Sequence, residues 1–81
     1  MKLHYSLSAR DDAKKLSRFV QQRVFAKLRH YARQPDPLKF AEPLSGSNEY
    51  RFRIGDYRAI FEIINDTVWA LAIKRRDEAY R

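Results

Sequence analysis

The sequence predicts an α+β fold in which two N-terminal helices pack on one face of a small, mainly antiparallel sheet, in the order β-α-α-β-β-β. Three observations predict it. Two alternating runs flank Gly55-Asp56 within Tyr50 to Phe61, an apolar stripe at helical spacing runs from Leu16 to Tyr31, and Val68 to Ile73 is a nearly continuous apolar run. With 81 residues the chain has room for one small domain, 1–81, and a modest core. Hydrophobic residues make up 44% and aromatics 14%, enough for the chain to fold rather than stay disordered.

The first alternating segment is Lys2 to Leu7, with Leu3, Tyr5 and Leu7 facing one way and His4 and Ser6 the other, and it is expected to be a short strand. Ser8 to Asp11 then matches a capping-box-like helix start, with Ser8 supplying the N-cap oxygen and Asp11 three residues on. Leu16, Val20, Val24, Leu28 and Tyr31 recur at steps of four and three, and Lys15, Arg18, Gln22, Arg29 and Arg33 fall on the far side. Phe19 and Phe25 widen that stripe awkwardly for one straight helix. A break near Ser17 to Phe19 is therefore expected, with a short helix before it and a longer one after.

Pro35-Asp36-Pro37 ends the helical pattern, because proline has no N–H to donate and pushes its predecessor out of the helical region. Gln34 to Asn48, with three prolines and Ser45-Gly46-Ser47, is expected to be the longest loop.

A two-residue Gly-Asp connection between alternating runs signals a β-hairpin with a I′ or II′ turn. Ile54 then faces Tyr57, Arg53 faces Arg58, and Phe52 faces Ala59. Tyr50, Phe52, Ile54, Tyr57, Ala59 and Phe61 share one face, and Arg51, Arg53 and Arg58 share the other, which is the natural open side of the sheet. Like charges directly opposite one another destabilise a strand pair, a fault that a bound anion would repair. Glu62 to Ile64 completes the second strand, Asn65 to Thr67 forms a turn, and Val68 to Ile73 reads as a strand covered on both faces. Trp69 lies in this most apolar strand and is expected in the core.

The formal net charge is +7, a surplus on so small a chain that attracts polyanions: nucleic acid, an acidic protein or an anionic membrane face. No apolar run approaches bilayer-spanning length, and Met1 to Ser6 is too polar and short for a signal peptide. With no cysteine for disulfides or thiolate metal sites, the expectation is a soluble cytoplasmic protein with no membrane role. His4 and His30 lack metal-ligand spacing, and no phosphate-cradling glycine loop, Ser-His-Asp grouping or zinc pattern occurs, so no cofactor is expected.

The remaining constellation is Arg51, Arg53 and Arg58 with Lys74, Arg75, Arg76 and Tyr80. Guanidiniums bind phosphate bidentately and stay charged at any relevant pH, which suits a transition state whose charge grows on non-bridging oxygens. Tyr80 could stack on a base or share a proton with a reacting oxygen. The plainer alternative pairs these cations with Glu49, Glu62, Asp77 and Glu78 as surface ion pairs.

Pro43-Leu44-Ser45-Gly46, the run Tyr50 to Phe61 and the ending Ile73 to Arg81 resemble the toxins of the RelE/ParE superfamily of bacterial type II toxin–antitoxin pairs, more closely the RelE side. The β-α-α-β-β-β order fits over the whole chain, while the specific motif residues fall between positions 43 and 81. The resemblance implies a ribosome-dependent endoribonuclease (an mRNA interferase), in which the ribose 2′-hydroxyl attacks the adjacent phosphate without metal and the 5′-oxygen leaves. It implies Arg58, Arg76 and Tyr80 as catalytic residues, and Arg51, Arg53, Lys74 and Arg75 as RNA-binding residues. It also implies the ribosome and mRNA as targets and a cognate antitoxin, acidic by charge complementarity, as inhibitor. The sequence departs from the pattern where Lys74-Arg75 replaces the Gly-His pair that often precedes the last motif arginine, so no histidine acid stands there. Some relatives use a loop glutamate as base, and Glu42 stands in a similar Glu-Pro-Leu context. Two other readings stand beside the endoribonuclease: a ParE-like toxin that shares the fold and poisons DNA gyrase without needing the RNA-cleaving residues, against which the joint presence of Arg58, Arg76 and Tyr80 speaks, and a non-catalytic basic RNA-binding module.

Overall fold

A computed structural model describes residues 1–76 of the chain. The hairpin forms in the expected register: β3 (Tyr50–Ile54) pairs antiparallel with β4 (Tyr57–Ile64), setting Ile54 against Tyr57, Arg53 against Arg58 and Phe52 against Ala59. Gly55 has φ +59° and Asp56 has no positive φ, the II′ pattern that matches strand twist. A side chain at Gly55 would also crowd the guanidinium of Arg23, whose Nη2 lies 3.2 Å from the Cβ position. β5 (Thr67–Arg75) returns antiparallel to β4 after Asn65 and Asp66, which have φ 48° and 60° and make a two-residue turn of I′ type.

The sheet carries two further strands. β1 (Lys2–Tyr5) pairs parallel with β5, a pairing that needs a crossover, here made by the helices. β2 (Ala41–Pro43) adds to the far edge along β3, giving a mixed sheet in the order β1-β5-β4-β3-β2. The stretch from Gln34 to Asn48 is thus not one long loop. A 3₁₀ turn at Pro37–Phe40, capped by Asp36 Oδ1 accepting from Leu38 N at 3.2 Å, feeds directly into β2. Pro43 is tolerated because β2 is an edge strand.

α1 (Leu7–Lys14) begins earlier than expected. Its N-cap is Ser6, not Ser8: Ser6 Oγ accepts from Ala9 N at 3.1 Å and donates to Leu71 O at 3.1 Å. That double use pulls the chain out of the strand at Tyr5, so Leu7 sits in the first helical turn at 78% exposure rather than beside Leu3 and Tyr5. The expected break falls at Lys15 to Ser17, where Ser17 caps α2 (Arg18–Ala32) by accepting from Val20 N at 3.3 Å. Phe19 is 72% exposed, outside the stripe, while Phe25 packs edge-on against Tyr5 with ring centroids 5.3 Å apart. Among the described residues, no helix is long and apolar enough to cross a membrane.

The core lies between the helices and one sheet face. Ala13, Val24, Leu28 and Ala32 meet Phe52, Ile54, Ala59, Phe61, Val68 and Ile73. Phe52 stacks on Phe61 (4.0 Å, 8°) and on Tyr31 (4.6 Å), a diagonal pair and a helix–sheet pair that tie α2 to the hairpin. In β4 and β5, Ile60 pairs with Ala72 but Phe61 with Ala70, so Leu71 is an unmatched bulge residue. The bulge lets both Ala70 and Ile73 face the core. It also leaves Trp69 on the opposite face, half-buried against Glu62 and stacked on His4 at 5.0 Å, so Trp69 is not the core residue expected.

Beyond Ala70 the outer edge of β5 has no strand beside it among the described residues, and α1 covers it instead. Asp12 Oδ2 accepts from Ile73 N at 2.9 Å, and Ser6 N and Oγ bond the carbonyls of Ala70 and Leu71. These contacts satisfy backbone groups that an open edge would leave available to another chain.

Candidate functional site

The face away from the helices carries two adjacent transverse rows. In one, Glu42, Arg51, Ile60 and Ala72 pair successively across β2, β3, β4 and β5. In the other, Arg53, Arg58 and Lys74 pair across β3, β4 and β5. The alternation that sends Phe52 and Ala59 inward sends these residues outward, and the II′ turn fixes which cations meet.

Their electrostatic positions differ. Arg51 Nη2 lies 3.5 Å from Glu42 Oε2, and Arg53 Nε lies 3.3 Å from Glu42 Oε1 without the alignment of a hydrogen bond. The carboxylate beside these two arginines is Glu42, not the Glu49 or Glu62 of the plainer ion-pair alternative, and Asp77 and Glu78 lie outside the described residues. Arg58 is the exception on this face. It is 2% exposed, because its side chain folds onto the turn, with Nη1 donating to Gly55 O at 3.1 Å and to Tyr57 O at 2.8 Å. No carboxylate comes within ion-pairing distance of it among the described residues, and its Nε is buried with no hydrogen-bond partner among them. A buried guanidinium held, among the described residues, by carbonyl oxygens and flanked by like charges is an arrangement that an anion would stabilise.

Lys74 is held by Asp12, its Nζ 3.4 Å from Oδ1. Arg75 is exposed opposite Tyr57, and exposed Arg76 donates its backbone N–H to Asp56 O at 2.7 Å, which ties the end of β5 to the hairpin turn. Six of the expected residues, Arg51, Arg53, Arg58, Lys74, Arg75 and Arg76, thus lie on or beside the hairpin, with Glu42 among them. Tyr80 lies outside the described residues.

Asp12 was not among the expected site residues, although it positions Lys74 and the β5 edge. Its partner Ile73 is 61 positions away, and no local pattern marks that contact. His4 and His30 meet aromatic rings, and no group of three His, Cys, Asp or Glu side chains is placed to hold a metal ion among the described residues. Tyr5 lies beside Phe25 on the helix side. Burial raises its phenol above the usual range, and the positive charge of Arg29 partly opposes this.

Comparison with known proteins gives a consistent result. The sequence model of a family described as ParE toxin of type II toxin–antitoxin system, parDE, matches residues 3–80. No curated protein sequence matches. Among solved structures, a chain of the toxin–antitoxin complex RelBE2 from Mycobacterium tuberculosis is 25% identical, with a TM-score of 0.82 over 93% of this chain and 96% of that one. The isolated RelE toxin of Escherichia coli shares the fold at 19% identity, with a TM-score of 0.76 over 98% of this chain and 89% of that one. A chain of the chromosomal ParDE system of Pseudomonas aeruginosa shares it at 14% identity, with a TM-score of 0.74 over 93% and 95%. The family match over nearly the whole length, on this five-stranded architecture, shows that the chain belongs to the ParE toxin family of type II toxin–antitoxin systems, within the RelE/ParE superfamily.

Proposed function

We propose that the chain, as one toxin domain over 1–81, is a ribosome-dependent mRNA endoribonuclease of the RelE kind, acting in the cytoplasm and held in check by an acidic antitoxin. The observation that carries the reading is the row Arg53–Arg58–Lys74, with Arg58 buried and lacking a carboxylate partner among the described residues.

In this reading Arg53 and Lys74 bind the RNA backbone with Arg51 and Arg75, and the scissile phosphate lies over Arg58. The ribose 2′-oxygen attacks phosphorus, the bond to the 5′-oxygen breaks, and Arg58 and Arg76 neutralise charge growing on the phosphate oxygens. Because Nη1 is anchored to two carbonyls, Arg58 is oriented before substrate arrives. Its low exposure means that RNA must part the side chains above it. Glu42 occupies an anion's position between Arg51 and Arg53. Phosphate competing for those guanidiniums frees the carboxylate to accept the 2′-hydroxyl proton, and Tyr80 then stacks on the nucleotide or protonates the leaving oxygen. An acidic segment of the antitoxin laid over the arginine face would block this site. The solved RelBE and ParDE relatives are toxin–antitoxin systems, which supports such a partner.

A second reading, a toxin that poisons DNA gyrase without cutting RNA, is favoured by the family match, which is to ParE. Incubating the purified chain with translating ribosomes and, separately, with gyrase and supercoiled DNA tests both. The nuclease reading expects message cut on ribosomes and no cutting by the Arg58→Ala/Arg76→Ala chain. Undiminished cutting by that double variant would refute it, and gyrase-dependent DNA breaks with intact message would establish the alternative.

A further inference from the structure

The cation row does not stop at the arginine face. Where α1 gives way to α2 beside the end of β5, a cleft of about 380 Å³ opens among Asp12, Lys15, Leu16, Tyr57, Lys74 and Arg75. Arg75 is directly across from Tyr57 and Lys74 directly across from Arg58, so the cleft adjoins the row around the exposed end of the sheet.

Four features of the cleft point to its ligand. Among the described residues its one carboxylate is already engaged, since Asp12 Oδ2 accepts from Ile73 N and Oδ1 pairs with Lys74. Lys15 and Arg75 have no carboxylate within 4.0 Å among the described residues, so a phosphate entering here meets two cations with no competing carboxylate among those residues. The volume exceeds what a bare phosphate fills and falls at the small end of ligand pockets, about 300–1,000 Å³. One wall is the half-buried Tyr57 ring, with Leu16 close by, and aromatic rings serve as sequence-tolerant platforms for bases.

We propose that this cleft is a nucleotide subsite: it takes one nucleotide of single-stranded RNA flanking the phosphate at Arg58, with its own phosphate between Lys15 and Arg75 and its base against Tyr57 and Leu16. Lys15 and Tyr57 thereby become RNA-binding residues, and Asp12 a positioning residue that holds Lys74 at the junction of the two sites. The proposal rests on the nuclease reading for its substrate.

The test is titration of adenosine 5′-monophosphate, and separately inorganic phosphate, into the isotope-labelled full chain. Amide shifts are followed by NMR, and KM and kcat for ribosome-bound message are measured alongside. The nucleotide is expected to shift Lys15, Tyr57 and Arg75 and to bind more tightly than phosphate. Lys15→Ala, an exposed position that spares the fold, should weaken it about tenfold. Tyr57→Phe should keep most of the affinity and Tyr57→Leu lose it. Lys15→Ala should raise KM with kcat unchanged, as expected for binding shared equally by ground and transition states. Nucleotide binding at the cleft by a chain that cuts no RNA would uphold the subsite while the nuclease reading fails. Message cut with an unchanged KM by Lys15→Ala, and no shifts at Lys15 or Tyr57, would overturn the subsite alone. Shifts produced by a poly-glutamate peptide and not by the nucleotide would overturn it in favour of a peptide site.

Discussion

Arg53 on β3 lies directly across from Arg58 on β4, yet Glu42 lies beside Arg53 and not beside Arg58, which is folded onto the carbonyls of its own turn. Like charges at facing positions oppose strand pairing, and burial of one of them adds a desolvation penalty. A fold selected for stability alone would place an apolar residue at position 58. Arg58→Met is therefore expected to leave the urea midpoint equal or higher, by about 1 kcal/mol of stability, with the lost bonds to Gly55 and Tyr57 offsetting part of the gain. Equilibrium urea unfolding followed by circular dichroism measures this.

Glu42 is expected to have two opposed effects. As the anion nearest Arg51 and Arg53 it competes with RNA, so Glu42→Gln should tighten binding of a short RNA several-fold. As the base for the 2′-hydroxyl, its loss should lower kcat by about 10²–10⁴-fold. Binding and single-turnover rates measured on the same variant separate the two. Tighter binding with an unchanged rate would leave Glu42 as a counter-ion only.

Asp12 carries structure as well as charge. Asp12→Ala removes the acceptor for a part-buried Ile73 N–H and is expected to destabilise the chain by about 1–3 kcal/mol. Asp12→Asn keeps an oxygen for that N–H and should recover much of the loss while freeing Lys74 from its ion pair. Thermal melts of both variants at neutral pH check this order.

Tyr5 sets an alkaline limit. Its folded-state pKa lies above that of the unfolded chain, so the neutral phenol's contribution is fully present below about pH 10 and is lost as pH rises through the folded value. Stability should fall above that pH, and Tyr5→Phe should make the fall shallower. Melting temperatures from pH 8 to 11 for both chains provide the comparison, and identical slopes would contradict the assignment.

The hairpin was legible residue by residue, because Gly55-Asp56 and two alternating runs determine both turn and register. The stripe from Leu16 to Tyr31 likewise identified the core face of the helices, since periodicity is a local property. What escaped was decided by long-range contacts. Ser6 rather than Ser8 caps α1 because its hydroxyl also reaches Leu71, and β2 forms because β3 offers three residues of edge. Trp69 faces outward because a bulge at Leu71 shifts which residues of an all-apolar run meet the core. The cationic composition of the site could be read from the chain; the burial of Arg58 and the placement of Glu42 between two arginines could not, because both depend on how side chains fold over a formed sheet.

The central claim is that Arg58 is kept, at a loss in stability, for its action on phosphate. The direct measurement is the single-turnover rate of cutting of ribosome-bound message by the wild-type chain and by Arg58→Met. Removing one preorganised donor of transition-state charge predicts a fall of about 10²–10³-fold in a chain that remains folded. A folded Arg58→Met chain that cuts at the wild-type rate would contradict it.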